Sequence, residues 1–247
     1  MAKKKVNKKS KIHKKASNIN SWLEKETPFT QAALENASRH FDEKDGLTVN
    51  TLEAIYGQES SFGANRKSRG ISGAAGDFQL ERATAKRMGL VVGEKNDERF
   101  DVDNASAAAA KYLKTQDKIF SNSTSLSENL SAIPVKDFTE RRKFVIAAFN
   151  AGEGRIAKAQ SLAEVDGRNP ALWKDVKKYL ESAGATVNKS KEIQEYVENV
   201  LKYEAEFSKK SKADKNAKVG KPKKVKKLPT GGHWITLDGR HIFIEEN

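Results

Sequence analysis

The chain has no cysteine among its 247 residues, which excludes a disulfide framework and any thiolate metal site. Histidine is nearly as scarce. His13, His40, His233 and His241 are scattered without metal-ligand spacing, so neither a metal nor a cofactor is expected. No apolar run approaches the roughly 20 residues that a membrane-spanning helix needs. The N-terminus is charged but lacks the apolar segment of a secretory signal, so no signal peptide is expected. The length permits one core of about 150 to 200 residues with some chain left for tails.

Acidic residues are nearly absent from two stretches. Residues 1–17 hold eight lysines and no carboxylate, and residues 208–227 hold ten lysines against one aspartate. These runs carry the net charge of +13, and residues 18–207 are close to neutral. Both runs are of low complexity and poor in apolar groups. Residues 1–17 are therefore expected as a disordered basic tail and residues 208–229 as a disordered basic linker. Such runs act either as solvated linkers or as contacts to polyanions. Neither has interleaved aromatics or arginines, so contact with nucleic acid or an anionic polymer would be nonspecific and salt-sensitive.

What remains between the tails reads as helix almost throughout. Residues 18–26 set Ile19, Trp22 and Leu23 on one face before Pro28, and residues 29–41 do the same with Phe29, Ala33, Leu34, Ala37 and Phe41. A helix from Asn50 has that residue as its N-cap, with Glu53 closing a capping box. Further helices are expected from Glu81 to Gly89, from Asp103 or Asn104 onward, over 139–149 and over 190–207. Residues 121–137 read as a serine-rich connection. From Thr230 the pattern changes to two β-prone runs about Asp238-Gly239, which predicts a β-hairpin over 230–247. The fold class is all-α, with disordered basic tails and a C-terminal β-hairpin.

In the third of these helices Leu52, Ile55, Tyr56 and Glu59 stand at i, i+3, i+4 and i+7, which is one face. A carboxyl group on a buried face tends to keep its proton, the state that a general acid requires. The bland alternative is a glutamate at the rim of the core with its head in water. The surrounding motifs favour chemistry. A Glu-Ser pair (Glu59-Ser60) is followed by Gly73-Ala74-Ala75-Gly76, then Gln79, then Thr84-Ala85, and much later Asn150-Ala151-Gly152-Glu153-Gly154.

In order and spacing these motifs resemble the soluble lytic transglycosylase family of the lysozyme-like superfamily, over roughly residues 46–205. The resemblance implies a lysozyme-like catalytic domain at 46–207, preceded by accessory helices at 18–45. It implies that Glu59 cleaves peptidoglycan between N-acetylmuramic acid and N-acetylglucosamine without water, forming a 1,6-anhydro ring. Substrate-binding roles follow for Gln79, Phe149, Asn150 and Tyr196, and for a serine near the acid. Ser68 stands at the family's usual separation and Ser72 lies just before Gly73, so both stay open. As bare sequence features the serines are turn residues, Gln79 a polar residue at a helix start, Asn150 a helix C-cap and Tyr196 a core aromatic.

Three positions depart from the family's pattern. Phe149 replaces the tyrosine before Asn-Ala-Gly, which removes a hydroxyl and is expected to leave Glu59 less restrained. Asp77-Phe78 replaces an apolar pair; Asp77 is either a surface aspartate or the second carboxylate of a water-using muramidase. Glu81-Arg82-Ala83 stands where a proline usually precedes Thr-Ala. The expected setting is a phage particle that opens the host cell wall or periplasm, with a secretion apparatus as the second choice. Its partners would be the glycan strands, and other virion or apparatus proteins through the hairpin. The competing functions are a hydrolytic muramidase and a non-catalytic glycan-binding virion protein.

Overall fold

The computed structural model describes residues 18–67, 73–219, 232–237 and 240–245. The chain divides into two compact units, Met1–Ser208 and Lys209–Asn247. The tail 1–17, the segment carrying Ser68 and Ser72, residues 220–231 and the Asp238-Gly239 turn lie outside the described residues.

Among its described residues the first unit is helical, with one small hairpin. Helices α1 (Asn18–Leu23) and α2 (Pro28–Ser38) are separated by Thr27, whose hydroxyl accepts the Thr30 N–H at 3.1 Å while Pro28 opens the helix. Next comes α3 (Val49–Ser60). Its cap is Thr48 rather than the expected Asn50: the Thr48 N–H donates to Thr51 Oγ1 at 3.0 Å, and the Thr51 hydroxyl donates onward to Glu204 at 2.5 Å. A long-range buried partner thus fixes where the helix starts. Glu53, freed from the capping role, lies half-buried near Glu26 and Glu35; burial first, and then these two acids, push its pKa up to about 8.

Leu52, Ile55 and Tyr56 are buried as their spacing predicts, but so are Thr51, Ala54, Gly57 and Ser60. Helix α3 is therefore enclosed on most sides, and its end is unusual. Ser61 and Phe62 both take positive φ, 53° and 57°. Left-handed backbone costs a non-glycine residue about 1–2 kcal/mol. Burial of the Phe62 side chain offsets it, since a Phe in a core contributes about 1.5–3 kcal/mol. Phe62 sits in an aromatic slab with Trp22, Tyr56 and Phe207.

After α4 (Arg82–Arg87), helix α5 (Val102–Ser121) runs through the middle of the unit against α2 and α6 (Phe138–Ala151). Asp101, not Asp103 or Asn104, caps α5 by accepting the Asn104 N–H at 2.9 Å. Its Ala105, Ala108, Ala109 and Leu113 are almost wholly buried, and such small side chains allow close helix contact. The serine-rich stretch read as a plain connection holds an antiparallel pair, β1 (Thr124–Ser127) and β2 (Leu130–Ala132). Its strands are short and mostly polar, which hides them from a hydrophobic-pattern reading. Helices α7 (Glu153–Val165) and α8 (Trp173–Val176) were also not foreseen.

Helix α9 (Val187–Val219) runs well past residue 207, where its end was expected. Lysine and alanine are good helix formers, and no Gly or Pro interrupts until Gly220. In the second unit, β3 (Gly232–Leu237) pairs antiparallel with β4 (Arg240–Glu245), with Trp234 opposite Phe243 and Leu237 opposite Arg240. This is the C-terminal hairpin predicted from the sequence.

Candidate active site

A groove of about 1160 Å³ opens on the first unit and is lined from α3, α4, α5, the α6–α7 junction and α9. It brings together Glu59, Gln79, Phe149, Asn150 and Tyr196, five of the seven residues singled out from the sequence. The other two, Ser68 and Ser72, lie outside the described residues.

Glu59 is half-buried in the last turn of α3. The Tyr196 hydroxyl, from α9, donates to Glu59 Oε1 at 2.6 Å. Tyr196 is only 4% exposed, and burial, followed by the neighbouring Glu59 charge, holds its phenol well above the ordinary value. The hydroxyl therefore stays protonated and donates at any working pH. With no hydroxyl on Phe149, the phenol that restrains the acid comes from another helix. Phe149 instead lies against the Tyr112 ring, with centroids 5.4 Å apart.

Gln79 reaches the groove on a loop of strained geometry. Its φ is +46°, and its side-chain amide donates to Gly76 O at 2.9 Å and Arg66 O at 3.3 Å. The loop is held from beneath. The buried Arg99 guanidinium donates to the carbonyls of Gly73 and Leu80, and the Asp77 N–H donates to Arg99 O. Gly76 has φ +80°, and a Cβ there would collide with the Arg99 carbonyl. The close approach that requires this glycine is to the Arg99 backbone.

Asp77 occupies neither of the two places considered for it. It is 1% exposed, lies outside the groove, pairs with Arg66 at 3.0 Å and accepts the Tyr56 hydroxyl at 3.2 Å. Burial raises its pKa, and the Arg66 charge opposes the rise without cancelling it. Its role is to staple the Gln79 loop to the end of α3.

At the α6–α7 junction Asn150 Nδ2 donates to Glu192 Oε1 at 3.3 Å, while Asn150 Oδ1 is buried without a protein partner. Burial alone would raise the Glu192 pKa, but Lys189 (2.8 Å) and Asn150 together bring it below the usual carboxylate range. Glu153 faces the same groove and accepts from Gln116 (3.0 Å), Tyr112 (3.3 Å) and Arg87 (3.3 Å). Burial opposes its ionisation, yet its own backbone N–H, Gln116 and Arg87 lower its pKa overall. Neither glutamate was singled out from the sequence. The signals were present: Glu153 is the variable residue inside Asn-Ala-Gly-x-Gly, and Glu192 stands one helical turn before Tyr196.

Residues 36–170 match the family described as the transglycosylase SLT domain, more than half of the chain. The chain belongs to this family. Among similar proteins, the membrane-bound lytic murein transglycosylase F of Shewanella loihica is 30% identical over 161 residues, covering 62% of this chain and 30% of that protein. The protein of the same name from Shewanella pealeana is 28% identical over 191 residues, covering 73% and 34%. That from Cronobacter sakazakii is 29% identical over 190 residues, covering 72% and 33%. The chain thus spans about a third of the length of these relatives. The SLT match contains Glu59, Gln79 and Asn150, whereas Trp22 on α1 and Tyr196 on α9 lie outside it. Among the described residues, no helix is long and apolar enough to cross a membrane.

Proposed function

We propose that this SLT domain is a peptidoglycan lytic transglycosylase with Glu59 as its single acid and base. The observation that carries the reading is the 2.6 Å hydrogen bond from Tyr196 to Glu59 inside the groove shared with Gln79 and Asn150. The phenol fixes the plane of the carboxyl group, which is what an acid handing a proton to a bound bridge oxygen needs. Glu59 protonates the glycosidic oxygen between N-acetylmuramic acid and N-acetylglucosamine, and the C1–O bond breaks. The substrate's own N-acetyl group supports the oxocarbenium-like centre. Glu59, now a carboxylate, takes the proton of the muramyl 6-hydroxyl, whose oxygen closes on C1 to give the 1,6-anhydro ring. No water is consumed.

Asn150 and Gln79 supply polar contacts along the glycan. The buried Oδ1 of Asn150 suits the N–H of an acetamido group, because a buried acceptor without a partner is costly until a ligand donates to it. Glu153 does not serve as the second carboxylate of a hydrolase here, since both of its oxygens are engaged by Arg87, Tyr112 and Gln116. Delivery by a phage particle, with the hairpin as its attachment to other virion proteins, is the setting that best suits the two lysine-rich segments around a near-neutral domain. Those segments would add nonspecific contact with anionic wall polymers.

The test is mass spectrometry of muropeptides released from purified sacculi. Anhydro ends in the wild-type products and their disappearance with Glu59→Gln are expected. Reducing ends would replace this reading with a muramidase, and unchanged release by the variant would remove Glu59 from the chemistry.

A further inference from the structure

The geometry points to Trp22, on a helix that precedes the family match, as a positioning residue for the Glu59–Tyr196 pair. The inference rests on the reading of Glu59 as the acid. Two helices must hold that pair together, α3 with Glu59 and α9 with Tyr196, and Trp22 touches both.

On α3 the contact is made at Gly57. Trp22 is 5% exposed and lies so close to this backbone that a Cβ on Gly57 would overlap the six-membered ring at Cε3 and Cζ3. Glycine in mid-helix is unfavourable relative to alanine, and Gly57 has no positive φ to excuse it. What requires glycine is the indole. Gly57 and Glu59 are two residues apart, about 200° around the helix axis, so the ring bears on the face turned away from the acid.

On α9 the partner is Tyr203. Its ring meets Trp22 edge to face, with centroids 4.7 Å apart at 72°. Tyr203 follows Tyr196 by seven residues and therefore shares its side of α9. Trp22 also stacks on Phe62 (6.0 Å, 15°) in the left-handed turn just after Glu59, and Lys25 Nζ donates to Ser61 O at 3.3 Å. One buried indole thus touches α3, its exit turn and α9, and sets the spacing that a 2.6 Å side-chain hydrogen bond between two helices demands. A misplacement of about 1 Å is enough to cost on the order of 10²-fold in rate.

The experiment measures kcat and KM for muropeptide release by the full chain, well below each variant's melting temperature. Trp22→Ala is expected to lower kcat by about ten- to a hundredfold with KM near the wild-type value. Trp22→Phe, which keeps a ring against Tyr203, should recover most of that loss. Gly57→Ala should lower kcat in the native background and have little further effect in Trp22→Ala, because the clash it causes is with the missing ring. If Trp22→Ala does not fold, Trp22→Leu takes its place, since leucine fills apolar volume without the flat ring on Gly57. A variant with reduced melting temperature but wild-type kcat would overturn the positioning role, as would additive effects of the two substitutions. A wild-type protein without lytic activity would instead overturn the reading of Glu59.

Discussion

Glu59 and Asp77 both accept a hydrogen bond from a buried tyrosine, and their surroundings give them opposite roles. At Asp77 the tyrosine is joined by the Arg66 guanidinium, and the carboxyl group is 1% exposed and outside the groove. At Glu59 a neutral phenol donates at 2.6 Å, and the half-buried carboxyl group opens on the groove of about 1160 Å³. A carboxylate closed in by a cation becomes part of the framework. One oriented by a neutral donor at the edge of solvent remains able to exchange a proton with a ligand. The partner and the access, rather than the residue type, separate the two.

That contrast can be broken at either end. The largest effect is expected from Glu59→Gln, with muropeptide release falling by 10²-fold or more and thermal melting little changed. Asp77→Asn should do the reverse. Loss of a buried partner leaves Arg66 uncompensated and lowers stability by about 2–3 kcal/mol, reduced from the fully buried case because Arg66 is partly exposed. Activity per folded molecule should be retained at low temperature. A catalytic defect without destabilisation in Asp77→Asn would return this residue to the list of candidate acids. Tyr196→Phe removes only the hydroxyl and should lower kcat by roughly tenfold, about the worth of one hydrogen bond to a charged group.

The smallest effect concerns Glu53, whose raised pKa gives a signed test by pH. An acid whose folded pKa lies above its unfolded one weakens the fold progressively as pH rises from about 4.5 to about 8. Glu53→Gln should therefore leave stability at pH 4 unchanged. At pH 8–9 it should raise stability by about 1–2 kcal/mol, a figure discounted for partial exposure. Equal melting shifts at both pH values would remove the raised pKa of Glu53.

Much of the fold was legible because helical periodicity and composition are local. The stripe Leu52, Ile55, Tyr56 is buried, α2 and α6 lie within a few residues of their expected bounds, and the β-prone runs about Asp238-Gly239 form the second unit's hairpin. Where reading along the chain went astray, the deciding partner was distant. Thr48 starts α3 because Thr51 finds Glu204, 153 residues away, and Asp77 turns inward because Arg66 and Tyr56 meet it there. The strands β1 and β2 had no hydrophobic alternation to announce them.

For the site, the sequence by itself determined the cast. Helical spacing named Glu59, and the resemblance of the surrounding motifs to the lytic transglycosylase family named Gln79, Phe149, Asn150 and Tyr196. Only the tertiary structure decided which hydroxyl restrains the acid, that Asp77 is withdrawn from the groove, that Glu153 and Glu192 face it, and that an indole from α1 stands between the two helices. Hydrogen bonds of 2.6 Å and ring contacts under 5 Å depend on where distant segments meet, and no local pattern encodes that meeting.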